Sequence, residues 1–325
     1  MGEASKLLDP FEAAWAEIRR LKLEEYVARL DHQGFVVIPP EIACPDGLNE
    51  RLLESVLDVA ERRSGVRPDL ETGKTHEFFK GRFEGYADTE GDSPIGEYFQ
   101  TLIFEGRPFE EALMNPVLLA LATYLCGYSV VLSSMSAFVK GRNESSFALH
   151  SDTLVPSPLA PHALVCNATY LLTDFNEENG ATAFVPGSHK LCREPSSREA
   201  VVGGEGGNPD AVPAEGAAGS LVVWHGNTWH GAFNRKAPGL RVSMPVLMAR
   251  PFVRTEEDLF GKIPQEILDR NPVRFKVLTQ HGISYGFSSQ KESTERTERA
   301  QQCMAEYFEE LGMDSDGRIA FPLYG

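Results

Sequence analysis

The feature that most constrains this chain is a change of hydrophobic period near residue 128. Before it, apolar residues recur at helical spacing. After it come SVVLSSMSAFV, HALVCNATYLLT, ATAFVPG, GSLVVWHG and GLRVSMPVLMA, short β-rich runs separated by Gly, Pro, Asn and Asp turns. Several short strands between helical flanks pack as a β-sandwich or barrel with helices outside. The helical part begins with Leu7, Leu8, Phe11, Trp15, Ile18, Leu21, Leu23 and Tyr26 spaced over residues 5–31, followed by a strand in HQGFVVIP. A second helix is expected over 47–63. The run PFEEALMNPVLLALATYLCG reads as helix interrupted at Pro116 and closed by Gly127. Residues 65–98 read as loop-rich.

Residues 193–219 are poor in bulky apolar side chains and read as a surface insertion or lid. Helical pattern returns from 255 to 312. Neither an internal repeat nor a composition break marks a boundary, so the expectation is one domain over 1–325. Its parts are N-terminal helices to about 127, a core over about 128–250 with the lid inserted, and a helical segment over about 251–325.

Charge narrows the partners. Thirty-one Lys and Arg stand against 47 Asp and Glu, a formal net charge of −16. Such a surface repels phosphate backbones and anionic lipid, which argues against nucleic-acid or membrane-surface binding and leaves small molecules as the expected partners. The five cysteines (Cys44, Cys126, Cys166, Cys192, Cys303) are scattered, odd in number and without a CxxC spacing. They fit a reducing compartment, and with no apolar signal segment and no run of about 18 apolar residues the expected location is the cytoplasm. Exposed terminal helices leave a homodimer open.

Three features carry chemistry. In an extended strand His150 and Asp152 of His-Ser-Asp point to one face. One imidazole and one carboxylate make two-thirds of a facial triad, the set that leaves open positions on ferrous iron. A bare HxD is as compatible with a solvated surface strand. The second feature is GSLVVWHGNTWHGAFN, where either His230 or His225 could return beside the first strand; position alone does not choose. The third is Arg241, eleven residues past His230, with Ser243 on the same face of the next apolar strand. A guanidinium in an apolar strand needs an anionic partner, and its planar fork suits a carboxylate.

With LHSD, LLTDFNEENGATAFVPGSHK and GSLVVWHGNTWHGAFNRKAPGLR in place, the chain resembles the phytanoyl-CoA dioxygenase family of iron(II)/2-oxoglutarate oxygenases. The likeness covers roughly residues 125–250 well and the N-terminal helices more loosely. It implies a mainly β fold with flanking helices around a double-stranded β-helix, the cupin-like jelly roll. It implies Fe(2+) held by His150, Asp152 and His230, with 2-oxoglutarate and dioxygen as cosubstrates. Arg241 would pair the distal carboxylate of 2-oxoglutarate.

Departures from the family pattern place other residues in question. Ala232 stands where many members carry Ser or Thr near that carboxylate, and Ser243 is the expected substitute. Ser133 stands where a Gln is common. Asn167 or Thr169 are alternative partners for the proximal carboxylate. Ala168 replaces a frequent aromatic and is expected to widen the pocket. The retained Asp152 argues against halogenation. His189 is expected to bond a loop and His162 to edge the pocket or lie on the surface. Trp224 and Trp229 could pack in the core or form an aromatic wall. Phe78, Phe79 and Phe83, among Lys80, Arg82 and Tyr86, are candidates for a substrate-facing segment. The implied activity is oxidation of a small metabolite, by hydroxylation or desaturation, with 2-oxoglutarate converted to succinate. The alternatives are a cupin-type metal enzyme that does not use 2-oxoglutarate, and an inactive barrel serving as a binding module.

Overall fold

The structure is a computed structural model that describes residues 9–75 and 93–313. The first helical stretch divides into α1 (Pro10–Arg20) and α2 (Glu24–Gln33). Asp9 caps α1 by accepting from the Phe11 and Glu12 amides. Pro10 follows at the first helical turn, where its missing N–H costs nothing. Lys22, with φ 58°, breaks the ladder between the two helices, and Ile18, Leu23, Val27 and Leu30 all reach one core. α2 ends at Gly34, φ 84°. A Cβ there would lie 2.4 Å from His189 Nδ1 and 2.5 Å from Thr228 Oγ1, so both the left-handed cap and the close approach require glycine.

β1 (Phe35–Ile38), α3 (Pro40–Ala43) and α4 (Leu48–Ser64) follow, the last agreeing with the helix expected over 47–63. Among its described residues, the stretch read as loop-rich leads into one short strand, β2 (Glu97–Phe99). α5 (Arg107–Leu113) and α6 (Pro116–Cys126) meet at Asn115, which caps α6 through the Val117 amide. Its Nδ2 also donates to the Ala43 carbonyl at 2.6 Å, pinning α6 to α3. Among the described residues no single helix is long and apolar enough to cross a membrane. The pair α5 and α6 would pass by length and composition together, but it is bent by 46°, and α6 is buried along most of its length.

The core strands are β3 (Val131–Met135), β4 (Ala137–Lys140), β5 (Phe147–His150), β6 (Val165–Leu171), β7 (Thr182–Phe184), β8 (Val212–Pro213), β9 (Leu221–His225), β10 (His230–Ala232) and β11 (Arg241–Ala249). They form two antiparallel sheets, the jelly roll. The larger runs β1-β9-β6-β11-β4-β2, with β3 also on β11; the smaller runs β5-β10-β7-β8. Alternation sorts the side chains. Cys166, Ala168 and Tyr170 of β6 and Val242, Met244 and Val246 of β11 join the core shared with the helices. Phe35, Phe184, Val222 and Trp224 meet between the sheets, where Phe35 stacks on Phe184 at 4.4 Å between ring centroids. Three helices close the described chain: α7 (Gln265–Arg270), α8 (Val273–Leu278) and α9 (Gln290–Glu310).

The insertion at 193–219 supplies β8 and buries Val202 against Leu149, Val185, Trp229 and Phe233. It packs on the small sheet, and among the described residues none of it lines the cavity discussed next.

Candidate metal centre and anion pocket

β5 and β10 run antiparallel, and their register sets His150 directly opposite His230. The two imidazoles lie 4.4 Å apart between centroids. Asp152 sits two residues past the end of β5, in a bend rather than in the strand, held by its amide donating to the Gly226 carbonyl at 2.9 Å. Asp152 Oδ1 is 3.9 Å from His150 Nε2, and Oδ2 is 3.4 Å from His230 Nε2. One ligand atom from each of the three lies within 4.8 Å of the others.

Both Nδ1 atoms are committed. That of His150 contacts the Ala148 carbonyl at 2.9 Å, and that of His230 the Thr228 carbonyl at 3.0 Å. A carbonyl only accepts, so each Nδ1 carries the proton and each Nε2 presents a lone pair toward the carboxylate. Burial holds the His230 imidazole below its ordinary pKa, which favours the neutral, ligating form. Asp152 Oδ2 accepts from Asn167 Nδ2 and from Trp224 Nε1, each at 3.1 Å. Those two donors fix the carboxylate in rotation. Between the two histidine-carboxylate residues, Ser151 gives both its amide and its hydroxyl to the Glu194 carboxylate.

The same cavity, of about 180 Å³, extends to Arg241 and Ser243 on β11, with Thr169 and Ala232 also in its wall. Arg241 is 4% exposed. Its guanidinium lies 4.5 Å from the Phe175 ring centroid, and Nη1 donates to the Gly180 carbonyl. Nε is buried without a hydrogen-bond partner, and among the described residues no carboxylate pairs with this cation. Desolvation, with repulsion from Arg235 second, lowers its pKa to about 9. A buried guanidinium in that condition is costly without an anionic partner.

Two expectations are corrected. Ser133 does not reach the cavity. Met248 pairs with Leu132 and Leu247 with Ser134, so Ser133 is the extra residue of a β-bulge. Its Oγ accepts from the Glu256 amide at 3.0 Å, and Ser134 takes the wall position instead. Ala168 cannot widen the pocket, because its side chain faces the helix-side core while Asn167 and Thr169 face inward.

The remaining histidines stand apart. His225 Nδ1 accepts from the Asn227 amide at 3.0 Å, and the ring lies 5.4 Å from His189. His189 bonds the Asp31 carbonyl at 3.3 Å, as a loop contact. His162 is exposed. Trp229 packs in the small core and donates to the Arg193 carbonyl, whereas Trp224 lines the cavity. The candidates Phe78, Phe79, Lys80, Arg82, Phe83 and Tyr86 lie outside the described residues.

His225 makes a testable contribution to acid stability. Burial, then its histidine neighbours, push its pKa down to about 4. An unfolded histidine titrates near 6.5, so between those values the unfolded chain binds more protons. Stability contributed by the neutral ring is therefore full above about pH 6.5 and lost as pH falls toward 4, by about 3 kcal/mol in total. Chemical denaturation across that range should show a shallower acid limb in His225→Asn than in the parent.

Comparison with known proteins decides the family. The family model described as Phytanoyl-CoA dioxygenase (PhyH) matches residues 30–243. The chain belongs to this family. Within the phytanoyl-CoA dioxygenase family the relatives include Dioxygenase af480 of Aspergillus fumigatus, 32% identical over 174 residues, which are 52% of this chain and 54% of that one. Dioxygenase aneA of Aspergillus aculeatus is 33% identical over 136 residues, 40% and 43% of the respective chains. The chain thus spans about half the length of the curated relatives it matches. Among solved structures, HygX from Streptomyces hygroscopicus with nickel and 2-oxoglutarate bound shares the fold with a TM-score of 0.54. It is 18% identical, and the match covers 74% of this chain and 92% of HygX.

Signals for some site residues were absent from the sequence. Glu194 lies in a charge-mixed insertion, and Gly180 and Phe175 act through a carbonyl and a ring face. Only Trp224 had a clue, since two residues of alternation put it on the inward face of β9 with Val222.

Proposed function

We propose that this chain is an iron(II)- and 2-oxoglutarate-dependent dioxygenase that oxidises a small organic metabolite. His150, Asp152 and His230 would hold the iron, and Arg241 with Ser243 would hold the distal carboxylate of 2-oxoglutarate. One observation carries the reading. A two-imidazole, one-carboxylate cluster and a buried guanidinium without a carboxylate partner among the described residues share a single cavity. The donor set suits a divalent iron with open positions, and the orphaned Nε suits an anion. A cupin-type enzyme without 2-oxoglutarate would have no use for a cation buried at that cost.

Ferrous iron bound there would supply the site at which dioxygen is activated at the expense of 2-oxoglutarate. The overall balance is R–H + O2 + 2-oxoglutarate → R–OH + succinate + CO2; in a desaturation the substrate loses two hydrogens and water forms. The protein's part is arrangement. Trp224 and Asn167 orient the Asp152 carboxylate, the histidine carbonyl contacts fix the tautomers, and Ser243 adds a hydroxyl beside the Arg241 fork. Asn167, which contacts Asp152, and Thr169 in the same wall would be the partners for the proximal carboxylate. Phe138, Phe147 and Leu247 give the substrate side of the cavity apolar walls that limit water.

Full-length protein given Fe(II), 2-oxoglutarate and air should release succinate and CO2 in equal amounts, dependent on iron. Candidate metabolites that accelerate the release should gain one oxygen or lose two hydrogens by mass spectrometry. Absence of iron-dependent succinate would overturn the proposal. A smaller effect is expected at Glu194→Ala, which strips the acceptor from Ser151 and loosens the backbone between two ligands. Fe(II) affinity should fall by about tenfold, as outer-shell losses commonly do, measured by anaerobic titration with the fold monitored by circular dichroism.

A further inference from the structure

A second guanidinium lies behind the first. Arg235 is 5% exposed, and like Arg241 it has no carboxylate partner among the described residues. Instead its fork is spent on neutral oxygens. Nη1 donates to the Asn179 carbonyl at 3.3 Å and to Asn179 Oδ1 at 3.1 Å. Nη2 donates to the Pro238 carbonyl at 2.5 Å, and Nε to the Gly239 carbonyl at 3.3 Å. Its backbone is locked as well, with the amide on Asn143 Oδ1 at 2.6 Å and the carbonyl taken by the Asn143 amide at 3.0 Å.

The two backbone pieces gripped this way flank Arg241 from both sides. Pro238 and Gly239 lead directly into β11, whose first residue is Arg241. Asn179 precedes Gly180, whose carbonyl accepts Arg241 Nη1. The turn carrying Gly180 is tied to the Arg235 segment further by the Lys236 and Ala237 amides, which both donate to the Glu178 carbonyl. Gly180 has φ 70°, and a Cβ on it would lie 3.0 Å from Arg235 Cα and Cβ, so the turn fits only as glycine. Burying a cation on neutral acceptors is expensive. A lysine could satisfy one of these turns, but only a rigid fork of five donors spans both.

We infer that Arg235 is a positioning residue for the cosubstrate, clamping the 176–180 and 238–239 turns so that Arg241 spends Nη1 on Gly180 and keeps its Nε edge for the carboxylate. The inference rests on the reading of Arg241 as carboxylate anchor. Its uncompensated charge also adds to the attraction for an anion at this end of the cavity. The clamp acts through orientation, so it affects the distal carboxylate and leaves the metal end alone.

The test uses full-length Ni(II)-loaded protein and two probes by isothermal titration calorimetry. 2-Oxoglutarate spans both ends of the cavity, whereas oxalate can chelate the metal but is too short to reach Arg241. Arg235→Lys keeps the charge and loses the fork; its 2-oxoglutarate Kd should rise by about tenfold, the worth of one charge-assisted hydrogen bond, with the oxalate Kd within about twofold of the parent. Gly180→Ala, which displaces the turn against Arg235, should reproduce the split and serves if Arg235→Lys does not fold. Unchanged 2-oxoglutarate binding in a folded variant would overturn the clamp, and so would an equal loss for both probes. A parent protein that binds oxalate but not 2-oxoglutarate would instead overturn the anchor role of Arg241 and the proposed function with it.

Discussion

Asp152→Ala is expected to abolish iron-dependent succinate release while leaving the chain folded. The substitution removes the only carboxylate in the three-residue cluster and leaves two imidazoles, 4.4 Å apart, to hold a divalent ion alone. Loss of an outer partner typically costs roughly 10–100-fold in metal affinity or activity, and loss of a charged ligand should exceed that range. Stability moves little or rises, because the carboxylate is confined beside two half-buried or buried imidazoles in the absence of metal. The indole of Trp224 and the amide of Asn167 lose an acceptor, which offsets part of any gain. Succinate quantified under saturating Fe(II), together with a thermal melt, separates the two effects. Turnover within a few-fold of the parent would remove Asp152 from the metal centre.

Arg241→Met should damage a different quantity. Fe(II) affinity should stay near the parent value, since the guanidinium is not part of the His150, Asp152 and His230 cluster. The 2-oxoglutarate requirement should rise steeply, because its distal carboxylate would enter a buried site with no cation. Breaking one side of a buried ion pair costs about 3–5 kcal/mol, roughly a hundred- to a few thousandfold in affinity. The cosubstrate-free protein behaves oppositely. Its guanidinium is desolvated, orphaned at Nε and repelled by Arg235, so an apolar side chain of similar length should leave the melting temperature unchanged or raise it. A higher melt with a lost cosubstrate affinity is the signature of a residue kept for ligand rather than for fold. Parallel loss of iron and 2-oxoglutarate binding would point to general collapse of the cavity and count against this role.

Much of this architecture was legible from residue order, for a physical reason. Strands of a two-sheet core must alternate and must be separated by turns, so the runs after residue 128 and their Gly, Pro and Asn breaks located β3, β4, β6, β7, β9 and β11 closely, whereas the two-residue β8 lies in the stretch read as an insertion. His230 was separable from His225 only through Arg241, because both end apolar segments of similar composition. The register of β5 against β10 supplies what spacing could not. Asp152 reached the cluster from a bend rather than along an ideal strand, so the face-sharing argument held in outcome although its geometry differed.

The misses have equally local causes. The family pattern pointed to Ser133, but a bulge inserts that residue between Leu132 and Ser134, and no residue type announces it. Ala168 was assigned to the pocket although its neighbours Asn167 and Thr169 claim that face, a parity error that alternation could have prevented. The split between α1 and α2 falls at Lys22, whose positive φ its residue type does not favour. Composition alone left the insertion as surface or lid, because it says nothing of what such a segment covers; Val202 packs against the small core.

The central claim is that one ion is shared by Nε2 of His150, Nε2 of His230 and an Asp152 carboxylate oxygen, in a cavity whose far end binds a carboxylate at Arg241. Anomalous diffraction at the iron absorption edge, from crystals soaked anaerobically with Fe(II) and 2-oxoglutarate, addresses it directly. The account predicts a single strong peak about 2 Å from all three atoms, with ligand density running from it to the Arg241 guanidinium. A peak elsewhere, or none at these residues under saturating iron, would contradict it.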